Sequence, residues 1–131
     1  MLKILLIDDD LFERRILTYH LQQINYIDFE IKQVSTCSDG VNSLLSNRYD
    51  IVLLDNALKD SISAEFSVPF IKEHLNGCPL VIISNNIQTS FLRDPDILGI
   101  DYIIDKVDLS KFMIRMLPVL QPKKVKLSGY Q

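Results

Sequence analysis

Hydrophobic residues along the chain form short runs that alternate with segments of helical periodicity. Four runs are almost entirely aliphatic and end at polar residues: Leu2–Ile7, Ile51–Leu54, Leu80–Ile83 and Tyr102–Ile104. Short runs of this kind are typical of strands that are buried on both faces of a parallel sheet. Phe29–Val34 instead alternates apolar and polar residues, as a half-exposed edge strand does. We therefore expect five strands, with the four aliphatic ones in central positions.

Between these runs, apolar residues recur three or four positions apart, which predicts helices with one buried face. The helical segments are residues 11–21, 41–48, 66–75, 91–98 and 108–120. Asp10 is placed to cap the first helix, and Pro69 indicates that the third starts late or is kinked. The fourth segment, which Pro95 interrupts, is predicted as a loop or a helix. Strands that alternate with helices predict an α/β fold with a doubly wound, all-parallel sheet and right-handed crossovers.

The totals fit one soluble domain. The chain has 131 residues, of which 47% are hydrophobic, and a net charge of −3, which argues against nucleic acid as a direct partner. No apolar run approaches the roughly 20 residues that span a bilayer, and the N-terminal run is too short for a signal peptide. Two cysteines without a pairing motif favour a reducing compartment, so we expect a cytoplasmic protein. Residues 1–120 are the predicted domain, and 121–131 a flexible tail or the start of a linker.

Polar residues that can carry chemistry follow the predicted strands. Asp8, Asp9 and Asp10 come after the first strand, Asp55 after the third, Ser84 after the fourth and Lys106 after the fifth. In a parallel sheet these strand ends share one edge, which is where open α/β sheets bind their ligands. We therefore expect these side chains to converge on Asp55.

Such a set of side chains suits phosphate chemistry on a carboxylate. Clustered carboxylates favour Mg²⁺, which prefers oxygen ligands and is often completed by phosphate. A lysine neutralises charge and pairs with an anionic oxygen, and a serine hydroxyl adds a hydrogen bond. Together they predict a site in which a carboxylate attacks a phosphoryl group while a metal ion and an amine stabilise its oxygens.

The order and spacing of these residues resemble the receiver domain of two-component response regulators over residues 2–120. The resemblance implies a CheY-like strand order of 2-1-3-4-5. It also implies a role for each residue: Asp8 and Asp9 as the metal-binding acid pair, Asp55 as the phosphoacceptor, Ser84 as the switch hydroxyl and Lys106 as the conserved-type lysine of the family.

The same resemblance implies a function and partners. A histidine kinase or a phosphotransfer protein would transfer a phosphoryl group to Asp55 with Mg²⁺ bound, and the main-chain carbonyl of Ala57 would be a further metal ligand. The chain would be a signalling domain rather than an enzyme, with only self-catalysed phosphoryl transfer and autodephosphorylation. Phosphorylation would change a surface for a downstream protein or output domain. A homodimer through the last helix-strand-helix face is a further expectation.

Several positions depart from the family pattern. Val107 and Lys59 stand where prolines are usual, and Asn85 where a small residue is usual. The switch aromatic normally lies three residues before the lysine, which is Ile103 here. Tyr102 is one residue early, so strand alternation predicts that it points to the other face.

Two alternatives follow from the residues. The departures favour an interaction module that keeps the receiver fold but works without phosphorylation. The spacing of Asp8 and Asp10 is compatible with a haloacid-dehalogenase-like phosphatase, with Asp8 as nucleophile and Asp10 as acid and base.

Overall fold

The computed structural model describes residues 1–24, 27–58, 64–85 and 100–120. Strands and helices alternate through these ranges: β1 (Leu2–Ile7), α1 (Leu11–Gln22), β2 (Phe29–Val34), α2 (Cys37–Ser46), β3 (Ile51–Asp55), α3 (Ala64–Lys72), β4 (Leu80–Ser84), β5 (Tyr102–Asp105) and α4 (Leu109–Leu120). A single 3₁₀ turn, Lys106–Asp108, joins β5 to α4. The predicted helical segment 91–98 and the predicted tail 121–131 lie outside the described residues.

The five strands form one parallel sheet in the order β2-β1-β3-β4-β5. This confirms the predicted fold class, the strand order and the edge position of Phe29–Val34. The prediction that Tyr102–Ile104 is central was wrong, because β5 is the opposite edge strand and Tyr102 is 38% exposed. An apolar run indicates that both faces of a strand are covered by helices. It does not indicate whether further strands pair with it along both of its edges.

The three central strands are buried on both faces, so their side chains belong to two separate hydrophobic cores, one on each side of the sheet. Even-numbered residues of β1, such as Ile4 and Leu6, belong to the core that is closed by α1 and α4. Leu5 and Ile7 belong to the core that is closed by α2 and α3. This two-sided burial holds β1 and β3 in register, with Ile7 opposite Leu54, and so brings the residues that follow them to one point.

Side-chain caps determine where two of the helices begin. Asp10 is the N-cap of α1, as predicted, and its Oδ1 accepts a hydrogen bond from the Phe12 N–H at 2.9 Å. The Thr36 hydroxyl caps α2 by accepting from the Asp39 N–H at 3.1 Å. Helix α2 therefore begins at Cys37, four residues before the predicted start at Val41.

The third helix also differs from its prediction. Helix α3 begins at Ala64, two residues before the predicted segment, so the expected late start is wrong. Pro69 lies inside the helix, where the alternative expectation, a kink, would place it. Proline lacks an N–H, so the helix forgoes one internal hydrogen bond there. No helix in the described part of the chain is long and apolar enough to cross a bilayer.

Candidate functional site

Three carboxylates meet at the carboxyl edge of the sheet. Asp8 directly follows β1 and Asp55 ends β3, and both are buried, whereas Asp9 is exposed. One oxygen from each of the three side chains lies within 4.8 Å of the others. The register of β1 against β3 explains the meeting of Asp8 and Asp55, because the residues just before them, Ile7 and Leu54, are partners.

Lys106 supplies the positive charge of this cluster. Its Nζ lies 3.2 Å from Asp8 Oδ2 and 3.6 Å from Asp55 Oδ1, and its side chain is 8% exposed. The lysine begins the 3₁₀ turn after β5, and the Asp105 carboxylate stabilises that turn by accepting from the Val107 N–H at 3.2 Å. The peptide bond between Lys106 and Val107 is trans, as are all peptide bonds in the described residues.

Ser84 and Ala57 complete the predicted set at the same edge. Ser84 is the last residue of β4, is 5% exposed and pairs with Asp105 of β5. The Ala57 N–H donates to Asp55 Oδ1 at 3.3 Å, so the loop after β3 folds back over its own acid. The structure thus places all six predicted site residues at the ends of adjacent strands, and Asp8, Asp9, Asp55 and Lys106 form a contiguous charged cluster.

Burial and mutual repulsion act strongly on the central acid. Burial, and next the charge of Asp8, raise the pKa of Asp55 to about 7, although the Lys106 ammonium and the Ala57 N–H act in the opposite direction. For Lys106, burial lowers the pKa, but the charges of Asp55 and Asp8 raise it by more, so its net shift is upward. The surroundings therefore favour the charged form of Lys106 and, on balance, disfavour the charged form of Asp55.

The donor set fits a hard divalent cation. Asp8 Oδ2 is buried and, apart from its ion pair with Lys106, accepts no hydrogen bond of good geometry from the described residues. Three carboxylates face one ammonium, so an additional cation would relieve the repulsion. Carboxylate oxygens with space left for water are the ligands that Mg²⁺ prefers.

Two residues near the site were not predicted from the sequence. Gln33, on the edge strand β2, donates from Nε2 to the main-chain oxygens of Asp8 at 2.7 Å and Asp10 at 3.1 Å. Glu13, in the first turn of α1, has a raised pKa, chiefly because of burial and also because of Asp8 and Asp10. The only sequence signal for Glu13 is its position one helical turn after Asp10. Nothing in the sequence around Gln33 indicated that it lies near the site, because its position there depends on the register of β2 against β1.

The aromatic residue of β5 packs against the last helix. The Tyr102 ring packs edge-on against Phe112 of α4, with centroids 5.1 Å apart. Ile103 packs against the other core, on the side of α2 and α3. The prediction that Tyr102 points to the opposite face from the usual switch position is therefore correct.

A doubly wound parallel sheet in the order 2-1-3-4-5, with acids after the first and third strands and a lysine after the fifth, is the arrangement of the CheY-like receiver fold. The chain has this CheY-like receiver fold. Its curated sequence relatives are described as sensory transduction and transcriptional regulatory proteins. It is 27% identical over 108 residues to the sensory transduction protein LytT of Bacillus anthracis, covering 82% of this chain and 43% of the relative.

Other comparisons agree with this class. The transcriptional regulatory protein LytR of Staphylococcus aureus (strain N315) is 29% identical over 103 residues, covering 79% of this chain and 41% of the relative. The chain thus spans less than half the length of the curated relatives it matches. No protein-family model matches the sequence.

Solved structures share the fold at low sequence identity. A two-component response regulator from Clostridium difficile superposes with a TM-score of 0.76 at 19% identity, covering 96% of this chain and 100% of that one. The receiver domain of the sensor histidine kinase PA1611 from Pseudomonas aeruginosa PAO1 gives a TM-score of 0.71 at 18% identity, covering 94% and 97%. In that structure a magnesium ion is coordinated in the active-site cleft.

Proposed function

We propose that the chain is a phosphoacceptor receiver domain that takes a phosphoryl group on Asp55 from a histidine kinase or a phosphotransfer protein. The observation that carries the proposal is the position of the Lys106 ammonium, 3.2 Å from Asp8 and 3.6 Å from Asp55. A cation in this place can pair with the oxygens of a phosphoryl group attached to Asp55. The sequence relatives, a sensory transduction protein and a transcriptional regulatory protein, and the fold shared with a two-component response regulator support the same class.

In the proposed reaction an Asp55 oxygen attacks the phosphorus of a phosphohistidine, the P–N bond breaks, and an aspartyl phosphate forms. Asp55 must be ionised to attack. Burial and the charge of Asp8 disfavour its ionised form, and the Lys106 ammonium and the Ala57 N–H act against them. Lys106 would then hold one phosphoryl oxygen, and the Ser84 hydroxyl would donate to another. Later attack of water on phosphorus would break the P–O bond to Asp55, release inorganic phosphate and restore the carboxylate. The domain would thus catalyse only its own phosphorylation and dephosphorylation.

Mg²⁺ would be held by Asp8, Asp9, Asp55 and the Ala57 carbonyl, and when bound it would neutralise charge on the phosphoryl oxygens. The fit of the three carboxylates to such an ion supports this part of the proposal. Asp8 and Asp9 also keep the pocket negative until an ion is bound, which makes phosphorylation dependent on the metal.

The start of α1 offers a docking surface for the phosphodonor. Four apolar side chains along α1, which begins directly after the acid loop, are exposed by half or more: Leu11, Phe12, Ile16 and Tyr19. The Arg15 guanidinium lies 5.9 Å from the centre of the Phe12 ring, which adds a positive charge to this surface. Exposed apolar residues beside a reactive group are typical of a protein contact, so we propose that the donor protein binds here.

Phosphorylation of Asp55 would change the surface that a downstream protein or output domain binds. We propose that the loop after Ser84 and the face formed by the last helix-strand-helix respond to it, and that a homodimer forms through the same face. Residues 1–120 would be the signalling domain, 121–131 a tail or linker, and the location cytoplasmic. The similarity of the chain to a sensory transduction protein supports these assignments.

Two alternatives make different predictions. A phosphorylation-independent interaction module, suggested by Val107, Asn85 and Lys59, would bind Mg²⁺ weakly and keep one constant surface. A phosphatase that uses Asp10 as acid and base is disfavoured, because the Asp10 carboxylate caps α1 through the Phe12 N–H.

The proposal is tested with acetyl phosphate, a small phosphodonor, and intact-protein mass spectrometry. We expect wild-type protein to gain one phosphoryl group with Mg²⁺ and none with EDTA, while Asp55→Asn gains none under either condition. Asp39→Asn, the same change at an exposed position of α2, should behave as wild type. Absence of uptake by wild-type protein, together with no Mg²⁺ binding at millimolar concentration by calorimetry, would leave the interaction module as the better description.

Glu13→Gln should weaken Mg²⁺ binding about two- to threefold. Glu13 interacts electrostatically with Asp8, Asp10 and Lys106, so its negative charge adds to the field that attracts a cation. Isothermal titration calorimetry measures the effect, and Glu30→Gln, an equal charge change at an exposed position of β2, is the control. Equal affinities of the two variants would show that Glu13 does not contribute to the site.

A further inference from the structure

Gln33 lies on the edge strand β2 and reaches across to the loop that carries two of the three acids. Its Nε2 donates to the main-chain oxygen of Asp8 at 2.7 Å and to that of Asp10 at 3.1 Å. Main-chain pairing of β1 with β2 ends just before this loop, with the bond from the Asp8 N–H to the Val34 oxygen at 2.9 Å. The carboxamide therefore keeps the loop attached to β2 where the ladder has stopped.

The orientation of the Gln33 carboxamide follows from its partners. Both are carbonyl oxygens, which only accept hydrogen bonds, so the NH₂ group must face them. Gln33 Oε1 is buried and accepts no hydrogen bond from the described residues. Leaving a buried acceptor unpaired is unfavourable. The side chain nevertheless keeps this orientation, because it allows the NH₂ group to donate its two hydrogen bonds.

The two bonded carbonyls lie on either side of Asp9. Fixing the Asp8 carbonyl sets the direction of the main chain that enters Asp9, and fixing the Asp10 carbonyl sets the direction in which the chain leaves the loop. The Asp9 side chain is exposed, so its place within 4.8 Å of the Asp8 and Asp55 oxygens depends on this main chain. Repulsion among three carboxylates would otherwise favour a loop that swings Asp9 outward.

We propose that Gln33 is a positioning residue for the divalent-cation site. It holds the loop of residues 8–10 so that the Asp8 and Asp9 carboxylates face the same point as Asp55, without itself touching the cation or the phosphoryl group. This inference rests on the proposed function. Loss of the groups that orient metal ligands commonly weakens metal binding by roughly 10- to 100-fold.

The test compares Gln33→Met with Gln23→Met. Methionine keeps the length of the side chain but cannot donate. Gln23, the exposed C-cap of α1, is a matched control because its Nε2 also donates to a carbonyl oxygen, that of Tyr19 at 3.3 Å. We expect the Mg²⁺ dissociation constant from calorimetry to rise about tenfold in Gln33→Met and to stay unchanged in Gln23→Met.

Phosphorylation by acetyl phosphate gives a second readout. In Gln33→Met the Mg²⁺ concentration for half-maximal rate should rise by the same factor, while the rate at saturating Mg²⁺ stays within about twofold of wild type, because the reacting groups are unchanged. A residue that only stabilises the fold would lower the melting temperature without moving this midpoint.

Two further measurements do not depend on the reaction. The Asp10 amide, which donates to Asp8 Oδ1 at 2.9 Å, should exchange its hydrogen faster in metal-free Gln33→Met than in wild type. Gln33→Asn, whose shorter side chain cannot reach both carbonyls, should also weaken Mg²⁺ binding and is the variant to use if Gln33→Met does not fold.

The possible failures are distinct. A Mg²⁺ affinity within twofold of wild type in a folded Gln33 variant would overturn this inference and leave the proposed function intact. Wild-type protein that binds no Mg²⁺ would overturn both.

Discussion

Lys106→Met should lower the rate of phosphorylation by acetyl phosphate by about 100-fold, while Mg²⁺ binding becomes tighter. The ammonium lies 3.2 Å from Asp8 and 3.6 Å from Asp55, so it is placed to stabilise charge on a transferring phosphoryl group. Removing one such donor from an active site typically costs about 10²- to 10³-fold in rate. The same ammonium repels a divalent cation bound by Asp8 and Asp55, and its loss should raise the affinity for Mg²⁺.

Opposite changes in binding and rate separate this role from a structural one. General damage to the pocket would weaken both Mg²⁺ binding and phosphorylation. Lys111→Met, the same substitution at an exposed position of α4, should leave both unchanged. Calorimetry gives the affinity, and the time course of phosphoryl uptake by mass spectrometry gives the rate. A rate within threefold of wild type at saturating Mg²⁺ would show that Lys106 does not stabilise the transferring group.

The sequence predicted those parts of the fold and site that depend on neighbouring residues in the chain. Aliphatic runs located the strands, and an acid directly after a run, such as Asp8 or Asp55, was placed correctly once the strands were known to be parallel. The edge position of β5 was not predicted, because the apolar residues of Tyr102–Ile104 indicate only that helices cover the strand. They do not indicate how many strands pair with it. The start of α2 was missed because residues 35–40 have the composition of a turn, although the Thr36 hydroxyl caps the helix.

What the sequence could not predict depends on register between distant segments. Gln33 meets Asp8 and Asp10 only because Leu6 pairs with Gln33 in the β1–β2 ladder. A shift by one residue would turn this side chain to the other face of the sheet. The partial burial of Glu13 likewise depends on how α1 leaves the acid loop, which its own helical pattern does not specify.

Asp55→Asn should stabilise the metal-free protein at neutral and alkaline pH, and the gain should disappear in acid. Burial, followed by the charge of Asp8, raises the pKa of Asp55 to about 7 in the folded protein. An unfolded aspartate has a pKa of about 3.9. The folded state therefore binds this proton more tightly, so wild-type stability from this group is present at low pH and is lost as pH rises from about 4 to about 7.

The expected size follows from the same shift after allowance for solvent screening. We expect Asp55→Asn to raise the free energy of unfolding by about 1–2 kcal/mol at pH 8, or the melting temperature by roughly 3–8 °C. The difference between variant and wild type should shrink to near zero at about pH 4, where the native carboxyl is protonated. The difference in stability between variant and wild type is the quantity to compare, because contributions from titratable groups that both proteins share cancel in it.

Metal binding provides the decisive comparison for this prediction. A ligand that binds only the folded state stabilises it by mass action, so millimolar Mg²⁺ should raise the melting temperature of wild-type protein at pH 8 and narrow the gap to Asp55→Asn, which lacks one ligand charge. Asp8 and Lys106 also carry charge near Asp55, and both remain in the variant. A difference that is constant from pH 4 to pH 8 would mean that Asp55 ionises normally in the fold. The repulsion that Mg²⁺ is proposed to relieve would then be absent.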